Sequence, residues 1–307
     1  MAGKIVRIGT RESKLAVWQA KKVASLLSKH GISSELVYIK TEGDKVLDTP
    51  LPLMGGKGVF TKALDDALYE NSIDIAVHSY KDVPTEQPDG LITGAVCERD
   101  DPRDVFVFRS GVSPEILQDT SRTFHIATSS NRRMAQWLAK YPNTKISDIR
   151  GNVQTRMKKL ENSDWDGVIF ASAGLKRLGL HDKIGAYLDW MLPAPAQGAL
   201  CIMCRESDSD ILEILSLIND TNVALATGLE RDFLNELEGG CSAPIGAFSQ
   251  ITNGKVHIEA NILHLNGSSE IRIALESEIG YASNLGREAA NQARRQGADK
   301  IVDALRS

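Results

Sequence analysis

Val6-Arg7-Ile8-Gly9-Thr10-Arg11-Glu12-Ser13-Lys14-Leu15-Ala16 sets a short apolar run against a turn of hydroxyls and charges that opens a helix. Phe124-His125-Ile126-Ala127-Thr128-Ser129-Ser130-Asn131-Arg132-Arg133 does the same again. Strand, polar turn and amphipathic helix in that order are the repeating unit of α/β domains with largely parallel sheets. Around the first stretch the spacing predicts a strand over 4–9 and a helix over 13–30. That helix has Leu15, Trp18, Val23, Leu26 and Leu27 on one face, Ser13 as its cap and Gly31 as its stop. A strand over 35–41, a helix over 59–70 and a buried strand over 73–78 follow. Around the second stretch the pattern predicts a helix over 131–140, a strand over 146–149, a helix over 152–161 and a strand over 167–171. The last third changes character. A helix over 221–237 closed by Gly239-Gly240 precedes three alternating strands joined by Asn253-Gly254 and Asn266-Gly267, dipeptides suited to tight hairpins. A final helix over 281–297 completes a small α+β unit with an antiparallel sheet.

The chain has 307 residues, with 36 Lys+Arg against 40 Asp+Glu for a net charge of −4. The length suggests two or three domains, each able to bury a core. A hydrophobic content of 42% with 25% charged residues excludes a disordered chain. No apolar run is long enough for a membrane span, and the start is too polar for a signal-peptide core, so a cytoplasmic protein is expected. Four cysteines are too few for a disulfide framework, and Cys201-Ile202-Met203-Cys204 lies inside an apolar strand pattern with no further ligand set nearby. No metal site is expected.

In open α/β sheets ligands bind beyond the carboxyl ends of the strands. Those ends carry Gly9-Thr10-Arg11-Glu12-Ser13, His78-Ser79-Tyr80-Lys81-Asp82, Thr128-Ser129-Ser130-Asn131-Arg132-Arg133 and Arg150-Gly151-Asn152. Helix starts favour anions, so Thr128, Ser129 and Ser130 ahead of two arginines form a carboxylate or phosphate cradle. Taken singly, Ser130 is as well explained by capping and each arginine by a solvated surface. The local charge weighs against that plain reading. Residues 122–159 hold nine basic side chains and one acid, Asp148, a surplus of eight positive charges inside an acidic chain. A polyanionic ligand is the physical implication. Nucleic acid is disfavoured, because no helix-turn-helix, finger or aromatic-interleaved basic face is present.

Gly55-Gly56-Lys57-Gly58 lacks the spacing of a nucleotide-binding loop and reads as a flexible loop. Asp82, just past a buried strand and before Val83-Pro84, suits stabilisation of a cation or proton exchange; the alternative is a salt bridge to Lys81 or a nearby arginine. Cys241, on Glu238-Gly239-Gly240-Cys241-Ser242-Ala243-Pro244, suits nucleophilic or covalent-attachment chemistry better than core filling.

These segments together resemble the porphobilinogen deaminase family, and the likeness runs nearly end to end. It rests also on Arg99-Asp100-Asp101-Pro102-Arg103-Asp104, Arg150-Gly151-Asn152-Val153-Gln154-Thr155-Arg156, Ala173-Gly174-Leu175-Lys176-Arg177-Leu178-Gly179 and Leu237 to Gly246. The resemblance implies a transferase that joins four porphobilinogen molecules into hydroxymethylbilane with loss of ammonia. It implies a dipyrromethane cofactor in thioether linkage to Cys241 and a catalytic Asp82 that meets pyrrole N–H groups and the cation left by departing ammonia. Arg11, Arg132, Arg133, Arg150 and Arg156 are the implied carboxylate partners, with Ser13, Ser79, Lys81, Thr128, Ser129 and Ser130 as hydrogen-bonding groups and Gln19 as a further candidate. The implied fold is two periplasmic-binding-protein-like α/β domains with a central cleft plus a small α+β domain bearing a three-stranded antiparallel sheet. The expected division is 1–98 with 199–216, then 104–192, then 221–307. A monomer is the implied state. The chain departs from the family pattern at Leu53, Tyr80, Asn131 and across 193–199. The rival from another class is a two-lobed small-anion binding protein, which would need the cations but have no use for Cys241.

Overall fold

The computed structural model describes residues 5–40, 61–237 and 243–306. In chain order the elements are β1 (Val6–Thr10), α1 (Lys14–Lys29), β2 (Ser34–Tyr38), α2 (Lys62–Tyr69), β3 (Ile75–Ser79), β4 (Leu91–Val96), β5 (Asp104–Phe108), β6 (Phe124–Ala127), α3 (Asn131–Lys140), β7 (Thr144–Ser147), α4 (Val153–Glu161), β8 (Gly167–Ala171), α5 (Ser172–Arg177) and β9 (Ala186–Tyr187). They continue with β10 (Leu200–Arg205), α6 (Ser209–Ser216), α7 (Thr221–Glu236), β11 (Ile245–Thr252), β12 (Lys255–Leu263), β13 (Glu270–Glu278), α8 (Leu285–Arg295) and α9 (Ala298–Arg306). The chain divides into two compact units, Met1–Asp100 with Ala199–Ala224 and Asp101–Gly198 with Leu225–Ser307.

The first unit is built on a five-stranded sheet in the order β2-β1-β3-β10-β4. β1 runs parallel to β2 and β3, and β10 runs antiparallel to β3 and β4. Val6, Ile8, Ile75 and Ile202 are fully buried in it. Gly9 permits the close fit of α2 and the segment before β3, because a Cβ there would lie 2.3 Å from Ile73 Cδ1. The Ser13 hydroxyl caps α1 by accepting from Ala16 N at 3.3 Å. At the other end Gly31 N donates to Ser28 O and Ile32 N to Leu27 O, the paired bonds of a glycine stop. The buried face of α1 is Gln19, Ala20, Val23 and Leu27, while Leu15, Trp18 and Leu26 are only half-buried. Cys201 and Cys204 are buried thiols on β10.

Asp65, on the buried face of α2, is 6% exposed, and burial pushes its carboxyl up to about 6 against the opposing hydrogen bond of Thr61. Its folded-state pKa lies above its unfolded one, so its stabilising contribution is complete below about pH 4 and is lost as pH rises through 6. Asp65→Asn removes that dependence. Relative to the wild type, the variant should gain about 2 kcal/mol between pH 4 and pH 8 in urea unfolding; parallel pH profiles would refute the assignment.

The second unit holds two sheets. The larger is ordered β7-β6-β8-β5-β9, with β6 parallel to β7 and β8, and β5 antiparallel to β8 and β9. Each five-stranded sheet thus carries one strand out of sequence, β10 in the first and β5 in the second. The smaller sheet, β11-β12-β13, is antiparallel throughout. Leu229, Phe233 and Leu237 from the α7 segment and Ala289, Ala290 and Ala293 of α8 pack on Val256, Ile258 and Ile262 of β12. Asn253 and Gly254 both take positive φ, 53° and 79°, and close the two-residue turn between β11 and β12. Gly267 serves a different purpose: at φ 73° it lies against α3, where a Cβ would come within 2.3 Å of Ala139 N.

The expected single helix over 281–297 is instead two pieces, with a further helix beyond them. A 3₁₀ turn over Ile279–Asn284 leads into α8, and Gly297 at φ 101° ends that helix before α9 begins. Among the described residues no helix is long and apolar enough to cross a membrane.

Candidate active site

The first unit gathers its polar groups at the carboxyl ends of β1 and β3. Arg11, half-buried, follows β1 directly, and Ser13 begins α1. Gln19, one turn further along the buried face, donates from Nε2 to Ser79 Oγ at 2.6 Å, tying α1 to the end of β3. His78 is buried beside Arg11; burial and that positive charge push its imidazole down to about 4, so it stays neutral at physiological pH. Beyond Ser79 the chain makes a 3₁₀ turn, Tyr80–Asp82. Tyr80 is buried and its N–H donates to Ala199 O at 3.1 Å, while Lys81 is half-buried and Asp82 exposed. Within the described residues no cation or hydrogen-bond donor engages the Asp82 carboxylate. The salt-bridge alternative for this residue is therefore absent from the described structure.

The second unit gathers its groups where β6 and β7 end. Ser129 Oγ donates to Ile149 O and accepts from Ile149 N, both at 2.9 Å, and so staples the two strand exits together. Ser130 caps α3 by accepting from Arg133 N at 3.4 Å, and Thr128 Oγ1 accepts from Ser130 N at 3.2 Å. As acceptors in these bonds, both hydroxyls keep their own O–H to donate. Asn152 caps α4, and Arg156 Nε donates to Gly151 O at 2.8 Å, holding the loop that carries half-buried Arg150.

Arg132 and Arg133 are only 4% and 7% exposed, not solvated, and are gathered around Asp104 at 0%. Arg132 Nη1 donates to Asp104 Oδ2 at 2.6 Å and to Leu192 O at 2.7 Å. Arg133 donates from Nε and Nη2 to Asp104 Oδ1 at 3.1 and 2.7 Å, and from Nη1 to Ile169 O at 3.0 Å. The two guanidinium groups hold the Asp104 carboxyl well below the usual carboxylate range despite its burial. Gln197, 1% exposed, adds a bond from Nε2 to Asp104 Oδ1 at 3.0 Å and one to Pro102 O at 2.6 Å. Charge counting along 122–159 misses both neighbours, Asp104 because it lies outside that window and Gln197 because its amide is uncharged. Arg122 likewise meets Asp166 at 3.3 Å, so part of the surplus is answered by acids distant in sequence.

Gly55, Gly56, Lys57, Gly58, Leu53 and Cys241 lie outside the described residues. Each unit thus offers a strand-end cluster: one has Arg11, Ser13, Lys81 and, at Asp82, a carboxylate with no partner among the described residues; the other has guanidinium groups and hydroxyl donors at two helix starts. The first set can face a developing cation with a fixed negative charge, and the second can bind carboxylates.

Comparison with known proteins points to one family. The family pattern described as porphobilinogen deaminase, dipyromethane cofactor binding domain, matches residues 6–213, and that of the porphobilinogen deaminase C-terminal domain matches 224–295. The porphobilinogen deaminase of Syntrophotalea carbinolica is 43% identical over 309 residues, covering 99% of this chain and 97% of the relative. That of Desulforamulus reducens is 42% identical over 306 residues, covering 98% of each. Among solved structures, the VFT2 domain of Bordetella pertussis BvgS aligns with 70% of this chain and 86% of its own at a TM-score of 0.44 and 14% identity.

Proposed function

The chain belongs to the porphobilinogen deaminase family, and from that premise we propose the part its residues take in the reaction. It is a transferase that condenses four porphobilinogen molecules head to tail into hydroxymethylbilane, releasing ammonia at each step, on a dipyrromethane cofactor. The observation that supports the residue assignment is the contrast between the two clusters: cations and hydroxyls at the starts of α3 and α4, and a carboxylate with no partner among the described residues at Asp82.

The residues present fit the cofactor. Every pyrrole ring of cofactor and substrate carries an acetate and a propionate, which call for guanidinium forks, and an N–H, which calls for an acceptor. Cys241 would hold the dipyrromethane by a thioether, and the bound group supplies the pyrrole carbon at which the chain grows. Arg11, Arg132, Arg150 and Arg156 bind carboxylates, with Ser13, Lys81, Thr128 and Ser130 donating beside them. Ser129, Gln19 and Ser79 hold the turns that aim these groups, and Arg133 completes the Asp104 cluster. Asp82 accepts from pyrrole N–H, faces the positive charge left when the aminomethyl group departs as ammonia, and takes up or returns a proton at its carboxylate oxygen. Residues 1–98 with 199–216 and residues 104–192 carry the binding groups, and 221–307 carries the attachment position. The setting is the cytosol, with one chain as the working unit and neither nucleic acid nor membrane as a partner.

The test is stoichiometric. Purified protein given porphobilinogen should release one ammonia per molecule consumed and form one tetrapyrrole from every four; consumption without that ratio would sink the reading. Arg132→Leu should lower the fraction of cofactor-bearing protein or raise KM by about tenfold, equivalent to the ~1.4 kcal/mol of one lost charge-assisted contact. Wild-type values for both would remove Arg132 from the set.

A further inference from the structure

We propose that Asp104 is the positioning residue of the α3 arginine pair: it locks Arg133 as its own counter-ion and fixes Arg132 by one nitrogen, so that the other edge of Arg132 is presented to a ligand carboxylate. The inference rests on the carboxylate-binding role given to Arg132 above.

The bond pattern divides the labour. Arg133 engages all three of its nitrogens within the protein, at Asp104 and Ile169. Arg132 engages Nη1 alone, at Asp104 and Leu192, and among the described residues its Nε and Nη2 donate to nothing. Nε and Nη2 form the edge of a guanidinium that meets a carboxylate by two parallel bonds, and such recognition needs a fork that cannot swing. The anchors around it are themselves fixed. Gln136 donates from Nε2 to Leu192 O at 2.9 Å and accepts from Leu192 N at 2.8 Å, while Gln197 holds Asp104 from the far side.

Charge gives the same division. Two guanidinium groups face one buried carboxylate, leaving the cluster one positive charge in excess. Burial and the like charge of Arg133 lower the pKa of Arg132 despite the pull of Asp104. An arginine in that condition is stabilised by a second anion, and Thr128 and Ser130 stand at the same helix start with O–H groups free to donate to it.

The experiment measures, on the full chain with its cofactor, the cofactor-bearing fraction by intact mass, KM and kcat per cofactor-bearing molecule, and Tm. Asp104→Asn should lower Tm, and should raise KM for porphobilinogen about tenfold or cut the cofactor-bearing fraction severely, with kcat per loaded molecule within about threefold of wild type. Asp104→Glu should recover most of the loss, because charge and two oxygens are restored. A lower Tm with wild-type KM and cofactor fraction would overturn the proposal, since that is the result of a merely structural carboxylate. If Asp104→Asn does not fold, Gln197→Leu decides. It removes one bond to Oδ1 without changing charge and should raise KM about threefold at constant kcat; an unchanged KM overturns the proposal. Arg132→Leu separates the two levels: wild-type behaviour there defeats the underlying assignment, whereas an impaired Arg132→Leu beside an unaffected Asp104→Asn defeats this proposal alone.

Discussion

Cys241→Ser should give a folded protein of bare polypeptide mass with porphobilinogen turnover reduced by at least about a thousandfold, the loss expected when a covalent primer has no point of attachment. The wild-type chain should instead carry an adduct of dipyrromethane size. Sulfur matters here because a thiolate forms and retains a carbon bond under conditions in which a serine hydroxyl does not react. Cys97, Cys201 and Cys204 are all buried on or beside the first sheet, and burial pushes the Cys204 thiol up to about 11, so none of them is a substitute nucleophile. An adduct that survives Cys241→Ser would refute the attachment. Active wild-type protein of bare mass would refute it too, and would return the field to a binding-protein reading.

Asp82→Asn should be almost as damaging and in a different way. The side chain keeps its shape and one acceptor oxygen, so the 3₁₀ turn of Tyr80–Asp82, anchored through Tyr80 N to Ala199 O, should persist, and cofactor assembly with it. What is lost is the one fixed negative charge facing the cation formed as ammonia leaves. Removing a preorganised group of that kind costs about 10²–10³ in kcat. Because Asp82 is exposed and makes no internal bond among the described residues, stability should be unchanged within about 0.5 kcal/mol. A large fall in Tm, or kcat within a factor of about three of wild type, would show that Asp82 supports the fold and not the reaction.

Much of the local structure is legible from the sequence because its determinants are local. The bounds of α3 follow from Ser130, whose hydroxyl caps it, and β8 coincides with the apolar run 167–171. The Asn253-Gly254 turn follows from the positive φ that both residues tolerate. What escapes is whatever depends on partners far along the chain. β4 and β5 are apolar runs, but their places in the two sheets depend on ladders that β10, β8 and β9 supply from far along the chain. The α3 arginines are the sharpest case. Their positions follow from the motif, but their burial is decided by Asp104, which lies 28 residues before Arg132 and meets it only once β5 is laid beside β8. A charge count sees two cations on a helix start, whereas the fold pairs both with Asp104 and leaves Nε and Nη2 of Arg132 without a partner among the described residues.

The out-of-sequence strand of the first sheet bears on how the protein is made. Among the described residues β4 has no ladder partner except β10, and β3 has none on that side until β10 arrives. Between β4 and β10 the ribosome must deliver the whole of 101–198, which at ordinary elongation rates takes roughly ten seconds. Throughout that interval the nascent chain holds Leu91–Val96 as an orphan segment and Ile75–Ser79 as an open sheet edge. The first unit is thus begun first but cannot close its sheet until 101–198 has been made, and its exposure to chaperones and to misassociation is timed by the translation of that segment.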